Sequence, residues 1–225
     1  VNHGMISNTY PGTILRIKCD FLCFTPGCPY DTHCDKSKKG TGFVLRLNGQ
    51  TIIATAHHVV QDAVSVSCTS PSLRDGESRL LTIIGYNPIL DIALLTGPDE
   101  VLSLPAFVSS PSSTLAPQDK VICIGFAGGD ARTHTTTGTI SGRNEFPHNR
   151  IQTDTAINAG NSGGPMLESK RGTVVGIVTS GMHDRQSTNF FTPIEEAWLS
   201  FRRMLLPTQG VSPDSVKTML QDDGP

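Results

Sequence analysis

Apolar and polar residues alternate in short runs along most of the 225-residue chain, a pattern typical of half-buried β-strands. Turn residues separate these runs, and none of the runs alternates with a helical segment of about 10–15 residues. The pattern therefore predicts an all-β fold of antiparallel barrels rather than a parallel sheet. The predicted strands are Thr13–Lys18, Gly42–Leu47, Gln50–Thr55, Ala63–Cys68, Leu80–Gly85, Ile92–Leu95, Val121–Phe126, Thr135–Ser141, Ile151–Thr153, Thr173–Thr179 and Asn189–Thr192.

Two local signals add a hairpin and a helix to this pattern. Asn48-Gly49 lies between two predicted strands, and because both residues tolerate positive φ, the pair predicts a tight hairpin. Near the end of the chain, Thr192-Pro193-Ile194-Glu195 combines an N-cap, a proline at the first helical position and a capping-box glutamate. Apolar residues then recur at helical spacing as far as Leu205, which predicts a helix that docks on a barrel.

The composition restricts the classes of function. Apolar residues make up 37% of the chain, and its 22 Gly and 15 Pro suit a globular, turn-rich protein. The net charge of −2 gives no bulk attraction to nucleic acid or anionic membranes. The sequence has no nucleic-acid motif, no glycine-rich phosphate loop and no apolar run of about 20 residues. It starts at Val1 without a recognisable signal peptide, which indicates a processed protein or an excised domain and assigns no localisation.

Ser162 stands in the sequence Gly160-Asn161-Ser162-Gly163-Gly164, between small residues on both sides. A nucleophilic serine needs such surroundings, because the backbone must bend sharply to present the hydroxyl and to direct amides at the developing oxyanion. Taken alone, the motif is more simply interpreted as a glycine turn between two strands.

Two upstream residues change this interpretation. Asp91 lies within the apolar run Ile89–Leu95, and a partly buried carboxylate requires a partner. Asp91 would accept from one ring nitrogen of His58, which closes a predicted strand, while the other nitrogen takes the proton of Ser162. The order His, Asp, Ser also argues against an α/β-hydrolase, in which the order is Ser, Asp, His, since only His183 follows the serine.

The three segments resemble the chymotrypsin-like serine proteases, most closely the HtrA/Deg branch. They read Thr-Ala-His-His-Val-Val around His58, Asp-Ile-Ala-Leu-Leu from Asp91, and Gly-Asn-Ser-Gly-Gly-Pro around Ser162, and Gly40–Leu45 and Thr136–Ser141 agree as well. The resemblance implies two perpendicular six-stranded antiparallel β-barrels with a C-terminal helix and a triad in the cleft between the barrels. It also implies hydrolysis of protein or peptide substrates through an acyl-enzyme, independent of ATP and without a cofactor.

The resemblance assigns roles to neighbouring residues. The backbone N–H groups of Gly160 and Ser162 would form the oxyanion hole. His58 rather than His57 would be the base, because it directly precedes Val-Val as in the family. Asn161 stands where secreted trypsin relatives pair an aspartate with a newly cut N-terminus, so activation by N-terminal cleavage is not expected.

The resemblance also outlines a substrate pocket. Ala156 stands where trypsin-type enzymes place an aspartate, which disfavours Arg or Lys before the cut and favours a small or medium apolar side chain. The strand Gly176–Gly181 would pair with extended substrate. The remaining predicted walls are Ile157, Thr179, Ser180, Gly181 and Asn189.

The six cysteines fall into two groups. Cys68 and Cys123 lie in predicted apolar strands and are expected to be buried thiols. The other four occupy a predicted loop, for which a structural zinc, two disulfides and free thiols all stay open. The basic stretch Lys36–Lys39 after them is interpreted as a solvated loop. The candidate zinc ligands are Cys19, Cys23, Cys28, His33 and Cys34.

The predicted organisation is a protease domain over residues 1–206 and a tail or linker over 207–225. Within the domain, the N-terminal barrel spans about 12–100, the C-terminal barrel about 116–193 and the helix about 193–206. Tyr10-Pro11 lies where HtrA relatives often trimerise through aromatic residues, so the resemblance also suggests a homotrimer. Three alternatives stay open: an idle barrel that binds peptides as a scaffold or chaperone, a latent enzyme, and a viral polyprotein-processing protease.

Overall fold

The computed structural model describes residues 12–21, 36–47, 49–144, 149–181 and 188–205. The helices among them are α1 (His57–Val60), α2 (Asp99–Leu102) and α3 (Ile194–Leu205). The strands are β1 (Ile14–Phe21), β2 (Lys36–Leu47), β3 (Gln50–Thr55), β4 (Ser65–Thr69), β5 (Arg79–Asn87), β6 (Ile92–Thr96), β7 (Phe107–Val108), β8 (Lys120–Gly125), β9 (His134–Asn144), β10 (Arg150–Thr153), β11 (Pro165–Glu168), β12 (Val174–Gly181) and β13 (Asn189–Pro193).

The strands form two closed antiparallel barrels of six strands each, which confirms the predicted all-β fold. The N-terminal barrel has the order β1-β4-β5-β6-β3-β2 and closes where β1 pairs with β2. The short strand β7 is added to β2 in parallel. The C-terminal barrel has the order β10-β13-β12-β11-β8-β9. Closure pairs the edge strands of each sheet with one another.

Three apolar clusters form the core, and the alternation of side chains along each strand decides which cluster a residue enters. Val44 points into the N-terminal barrel, whereas its neighbours Phe43 and Leu45 pack between the two barrels. In the C-terminal barrel, Cys123 points inward and Ile124 joins the same inter-barrel cluster. The central parts of β2, β3, β6, β8 and β11 are therefore buried on both faces, which explains the apolar runs in these strands.

Strand β1 differs because its outer face is polar. Ile17 fills the N-terminal barrel, while Arg16 and Lys18 lie on the opposite face of the strand. Lys18 is paired with Lys39 of β2. The prediction of a loop at Lys36–Lys39 is therefore wrong, since these residues form the first part of β2 and pair with β1. Residues 37–39 are nevertheless exposed to solvent, as predicted.

The predicted hairpin is confirmed, and two strands were missed by the sequence pattern. Strands β2 and β3 pair with Leu47 opposite Gln50, and Gly49 has a φ of +80°. The missed strands are β7, which has two residues, and β11, which directly follows Gly160–Gly164, the segment called the serine motif below. In β11, only Met166 and Leu167 carry an apolar signal, which is too short to predict a strand.

The predicted C-terminal helix is present as α3 and packs where the two barrels meet. Ile194, Ala197 and Phe201 are buried in the inter-barrel cluster, as the helical spacing of apolar residues predicts. No helix in the described part of the chain, α3 included, has the length and apolar character of a membrane span.

The start of α3 differs from the predicted capping box. Thr192 belongs to β13, and its hydroxyl donates to the carbonyl oxygen of Leu90 at 2.7 Å. The carboxylate of Glu195 accepts from the backbone N–H of Ser112 at 3.1 Å and from the hydroxyl of the same residue. Both side chains therefore connect this region to the segments before β6 and before β8 instead of capping the helix.

Three cysteines lie in described strands, all as buried free thiols. For Cys68 and Cys123 this confirms the prediction. Cys19, in contrast, is not part of a loop, because it lies in β1 and faces the core of the N-terminal barrel. Burial raises the pKa of the Cys19 thiol to about 11. Since zinc binds the thiolate, this position disfavours Cys19 as a zinc ligand.

The remaining predictions on the cysteine loop and on assembly concern residues outside the described ranges. The zinc, disulfide and trimer hypotheses therefore stay predictions. The residues in question are Tyr10, Pro11, Cys23, Cys28, His33 and Cys34.

Candidate active site

His58 and Asp91 are held together by two contacts. His58 lies in α1, directly after β3, and Asp91 directly precedes β6. The carboxylate of Asp91 accepts from the backbone N–H of His58 at 2.8 Å, and its other oxygen lies 2.7 Å from the ring Nδ1. The side chain of Asp91 is 14% exposed and that of His58 is 34% exposed. An imidazole held through Nδ1 leaves Nε2 as the nitrogen that can exchange a proton with a substrate or a nucleophile.

The backbone of Asp91 adopts a conformation that non-glycine residues rarely take. Its φ is +56°, in the left-handed region, which Asp and Asn tolerate better than other side chains. Its carbonyl oxygen accepts from the backbone N–H of His57 at 3.1 Å. Main chain and side chain of Asp91 are thus both fixed to the start of α1. Such backbone outliers cluster at functional sites.

His57, the other histidine of the pair, uses its ring elsewhere. The ring stacks on that of Tyr86, with centroids 4.9 Å apart and an interplanar angle of 21°. His57 and Tyr86 line a cavity of about 320 Å³ together with Gln61 and Pro88. This arrangement supports the interpretation of His57 as a neighbour of the site and of His58 as the base.

The serine motif approaches the N-terminal barrel backbone to backbone. The amide of Thr41 donates to the carbonyl oxygen of Ser162 at 2.9 Å. Gly163 has a φ of +84°, and a Cβ there would lie 2.2 Å from the carbonyl oxygen of Thr41 and 2.8 Å from the amide nitrogen of Ala56. Only glycine permits this approach. Because Ala56 directly precedes α1, the approach brings Ser162 next to the helix that carries His58.

Among the described residues, the backbone amides of Gly160 and Ser162 have no hydrogen-bond partner. The carbonyl oxygen of Ala159 accepts from the amide of Gly128 at 2.6 Å, so the N–H of Gly160, on the same trans peptide, points the opposite way. Gly160 has a φ of +97°, and a Cβ there would lie 2.1 Å from the carbonyl oxygen of Phe126. Within the described ranges, neither Gly160 nor Ser162 donates its backbone N–H to another residue. Unused, fixed donors of this kind are what a developing oxyanion requires.

The structure brings the three predicted triad residues to adjoining segments but bonds only two of them directly. His58 and Asp91 are in hydrogen-bond contact. The hydroxyl of Ser162 makes no hydrogen bond to a residue in the part of the chain that the structure describes. Catalytic hydrogen bonds often form only when substrate is bound, so this geometry is compatible with a Ser162–His58 contact in a complex.

Thr41 is a candidate functional residue that sequence reasoning missed. It is fully buried in β2. Its hydroxyl donates to the carbonyl oxygen of Gly160 at 2.6 Å and accepts from the amide of Phe126 at 3.0 Å. Its carbonyl oxygen accepts from the hydroxyl of Thr55 at 2.7 Å. Thr41 thus connects β2 and β3 to the serine motif, and its signal in the sequence was no more than a threonine flanked by glycines.

Asn161 is buried under the serine motif. It is 1% exposed, and its side-chain oxygen has no hydrogen-bond partner among the described residues. A Cβ at Gly125 would lie 2.9 Å from the Cα of Asn161, so the two backbones are in close contact. A neutral amide is less costly to bury here than the carboxylate of an aspartate, which would require a cation.

The predicted pocket residues lie on neighbouring strands and loops of the C-terminal barrel. Asn189 pairs with Gly181, and its side-chain amide donates to the carbonyl oxygen of Thr155 at 2.8 Å. The carbonyl oxygen of Ala156 accepts from the hydroxyl of Thr136 at 2.8 Å. These two hydrogen bonds fix the carbonyl groups of Thr155 and Ala156.

The other three pocket residues extend this surface. Ile157 is partly buried against the core of the C-terminal barrel. Thr179 is fully buried, and its hydroxyl has no partner within the described ranges. Ser180 lies in β12 opposite Phe190. The candidate pocket is therefore built from neutral residues.

The described part of the chain contains no group of three or more His, Cys, Asp or Glu residues placed to hold a metal ion.

Comparison with known proteins agrees with this geometry. The family model of the trypsin-like peptidase domain matches residues 40–177, which is more than half of the chain. The chain belongs to the trypsin-like peptidase family. Its relatives fall in the HtrA branch of chymotrypsin-like serine proteases, as the sequence motifs predict.

Two relatives and one solved structure illustrate the similarity. The trypsin-like domain is 37% identical over 167 residues to the serine protease homologue HhoB of Synechocystis sp., covering 70% of this chain and 38% of HhoB. It is 34% identical over 197 residues to the serine protease Do-like HtrA of Bacillus subtilis (strain 168), covering 79% of this chain and 43% of that protein. The chain thus spans less than half the length of these relatives. The HtrA-type protease AlgW with a decapeptide shares the fold, with a TM-score of 0.71, 22% identity, and coverage of 97% and 75% of the two chains.

We expect the substitution Thr41→Val to destabilise the protein by about 2 kcal/mol, because it leaves the buried carbonyl oxygen of Gly160 and the amide of Phe126 without their partner. Urea unfolding measures this difference. Thr41→Ser is the matched control, since it keeps the hydroxyl and loses only a methyl group. Equal stability of the Val and Ser variants would show that the hydroxyl contributes nothing to holding the serine motif.

Proposed function

We propose that this trypsin-like domain is the catalytic part of an ATP-independent, HtrA-like serine endopeptidase that cleaves protein substrates through an acyl-enzyme. The observation that carries the proposal is the carboxylate of Asp91 bonded to both the ring and the backbone of His58, beside a glycine-bounded Ser162. Membership of the trypsin-like peptidase family supports the reaction class. No cofactor enters the proposed chemistry.

Proton transfer in this proposal runs through His58. With its Nδ1–H donated to Asp91 at 2.7 Å, the neutral ring has an unprotonated Nε2. Nε2 takes the proton of Ser162 as the serine oxygen attacks the scissile carbonyl carbon, and it then gives that proton to the leaving amine. A water molecule then gives a proton to Nε2 and attacks the acyl-enzyme. The acyl group leaves as a carboxylic acid, and Nε2 returns the proton to Ser162. Asp91 remains ionised and stabilises the imidazolium.

The oxyanion in this proposal is bound by the N–H groups of Gly160 and Ser162. Three hydrogen bonds support their positions. The amide of Gly128 donates to the carbonyl oxygen of Ala159, and Thr41 donates through its hydroxyl to the carbonyl oxygen of Gly160 and through its amide to that of Ser162. Donors that are already oriented need no reorganisation during the reaction, which is the source of their effect on the rate. Removing one such donor typically costs about 10²–10³ in kcat.

Labelling with a fluorophosphonate tests the proposed nucleophile. We expect the intact mass of the wild-type protein to increase by a single adduct, because the reagent phosphonylates an activated serine hydroxyl. The variant Ser162→Ala should keep the fold by circular dichroism and form no adduct. Equal labelling of the two proteins would overturn the assignment of Ser162. A folded wild-type protein without any adduct would instead support the idle or latent barrel.

The role of Asp91 is tested by Asp91→Asn. Asn tolerates the left-handed φ of +56° nearly as well as Asp, so the variant changes the acceptor without adding backbone strain. The amide would donate to Nδ1 and place the proton of His58 on Nε2, and we expect turnover to fall by roughly 10⁴-fold. Turnover is measured on a casein-type protein substrate at pH 8. A loss smaller than about tenfold would mean that a different group orients His58, at variance with the contacts that support the proposal.

The neutral pocket residues support a preference for a small or medium apolar side chain before the cut. Ala156 is exposed, so an aspartate introduced there would be solvated and tolerated. We expect a peptide library to be cut after apolar residues by the wild type, and to be cut increasingly after Arg and Lys by Ala156→Asp, since the new carboxylate attracts a cation. Cleavage after Arg or Lys by the unmodified domain would contradict the neutral pocket.

A further inference from the structure

The outer face of the N-terminal barrel carries a cavity that the proposed protease chemistry does not use. Its volume is about 300 Å³, at the lower end of the range for small-molecule sites. It is lined by cationic side chains and hydroxyl groups, with one buried thiol. The lining residues are Arg16, Lys18, Lys39, Ser67, Cys68, Thr69 and Ser78.

The strand register explains why these side chains converge. Lys18 of β1 lies directly opposite Lys39 of β2 on one side and Ser67 of β4 on the other. Two residues earlier along β1, and therefore on the same face, Arg16 lies opposite Thr69. Side chains directly opposite each other on antiparallel strands have Cβ atoms about 4.5–5.5 Å apart. The cations and hydroxyls of this face thus point into one shared space.

The cations of the cavity are incompletely neutralised. Lys18 pairs with Asp20 at 2.9 Å. Neither Arg16 nor Lys39 has a carboxylate within ion-pair distance among the described residues. The group therefore carries a net charge of about +2 in a chain whose total is −2.

Neighbouring carboxylates are engaged elsewhere. Asp130, which follows Gly129 in the chain, pairs with His134 at 3.2 Å. Glu77, which precedes Ser78, pairs with Arg79 at 3.3 Å. Like charges placed directly opposite on a sheet, as Lys18 and Lys39 are, destabilise the pairing, and Asp20 offsets this only at Lys18.

We propose that this cavity is a binding site for the phosphoryl group of a small phosphorylated molecule. The guanidinium of Arg16 and the ammonium groups of Lys18 and Lys39 match an anion of about two negative charges. The hydroxyl groups of Ser67 and Thr69 are neutral groups that can donate further hydrogen bonds to the phosphoryl oxygens. A single phosphate ion fills only part of 300 Å³, so the remaining space accommodates the group to which the phosphoryl is attached.

The site also touches the loop that supports the serine motif. The guanidinium of Arg16 donates through Nη2 to the carbonyl oxygen of Gly129 at 2.7 Å. A Cβ at Gly129 would lie 3.4 Å from Cδ of Lys39, so the lysine stem borders the same loop. The amide of Gly128, which precedes Gly129, donates a hydrogen bond to the carbonyl oxygen of Ala159. A bound anion would therefore contact the side chain that secures this loop. The anion site itself does not depend on the proposed protease activity.

Binding is tested with inorganic phosphate, glycerol 3-phosphate and pyrophosphate, by calorimetry and by thermal unfolding at constant ionic strength set with sodium chloride. We expect each anion to bind with one site per chain and to raise the unfolding midpoint in a saturable way. Tighter binding of glycerol 3-phosphate or pyrophosphate would identify a ligand larger than the free ion. Equally tight binding of inorganic phosphate would identify the free ion as sufficient.

Charge-matched variants make the test specific. Lys18→Met with Lys39→Met should weaken binding about tenfold or more, because two charge-assisted contacts are lost. The control, Lys120→Met with Lys170→Met, removes the same charge from exposed positions of the C-terminal barrel and should bind as the wild type does. Lys18→Arg with Lys39→Arg changes the same two positions but keeps both charges, so it should retain binding. Loss of binding in the Met variant alone would then be due to the lost charges and not to misfolding. A midpoint shift that sodium chloride alone reproduces, or equal losses in the cavity and control variants, would overturn the site.

Discussion

The backbone of the serine motif and the backbone of the N-terminal barrel meet with no room for a side chain between them, and much of the site depends on this contact. A Cβ at Gly163 would lie 2.2 Å from the carbonyl oxygen of Thr41, and the amide of Thr41 donates to the carbonyl of Ser162. The barrels are otherwise joined mainly by apolar packing, which is non-directional and does not fix the position of one atom relative to another. The hydrogen bonds of Thr41 add that direction, because each is buried and costly to leave unmade.

Burial on both faces of a strand explains where the site lies. The central residues of strands that face the second barrel, such as Ile52–Ala54 of β3 and Ile92–Leu95 of β6, are buried and apolar. A polar side chain just beyond them is therefore expected to bond to another polar group. His58 follows β3 and Asp91 precedes β6, and these strands are neighbours in the sheet. The histidine and the aspartate meet because two adjacent strands place them at the same edge of the barrel, and Thr192 of the C-terminal barrel holds the carbonyl of Leu90 beside them.

The sequence predicts those features that depend on local patterns. The alternation of side chains indicates the barrel strands, Asn48-Gly49 indicates the hairpin, and the family motifs indicate the three residues of the candidate triad. Features that depend on distant partners escape such reasoning. Thr41 is an ordinary threonine until the fold brings Gly160 to its hydroxyl. Likewise, Glu195 is predicted to be a capping residue, but in the fold its carboxylate accepts from the hydroxyl of Ser112, 83 positions earlier. The basic stretch before Gly40 reads as a loop because its pairing with β1 is not visible in its own composition.

Three of the places where this fold departs from local rules of stability lie at the two proposed sites. Asp91 has a positive φ, and the amides of Gly160 and Ser162 donate to none of the described residues; both exceptions lie beside the serine, where the proposed chemistry supplies a reason for them. The third exception, Lys18 opposite Lys39 with Arg16 beside them, lies on the outer face of the N-terminal barrel, among residues that the proposed catalytic steps do not use. Asp20 offsets this repulsion at Lys18 only, and the charges of Arg16 and Lys39 have no carboxylate partner among the described residues. The hydroxyl groups of Ser67 and Thr69 line the same cavity as the cations and can donate hydrogen bonds, which favours an oxyanion as the additional partner.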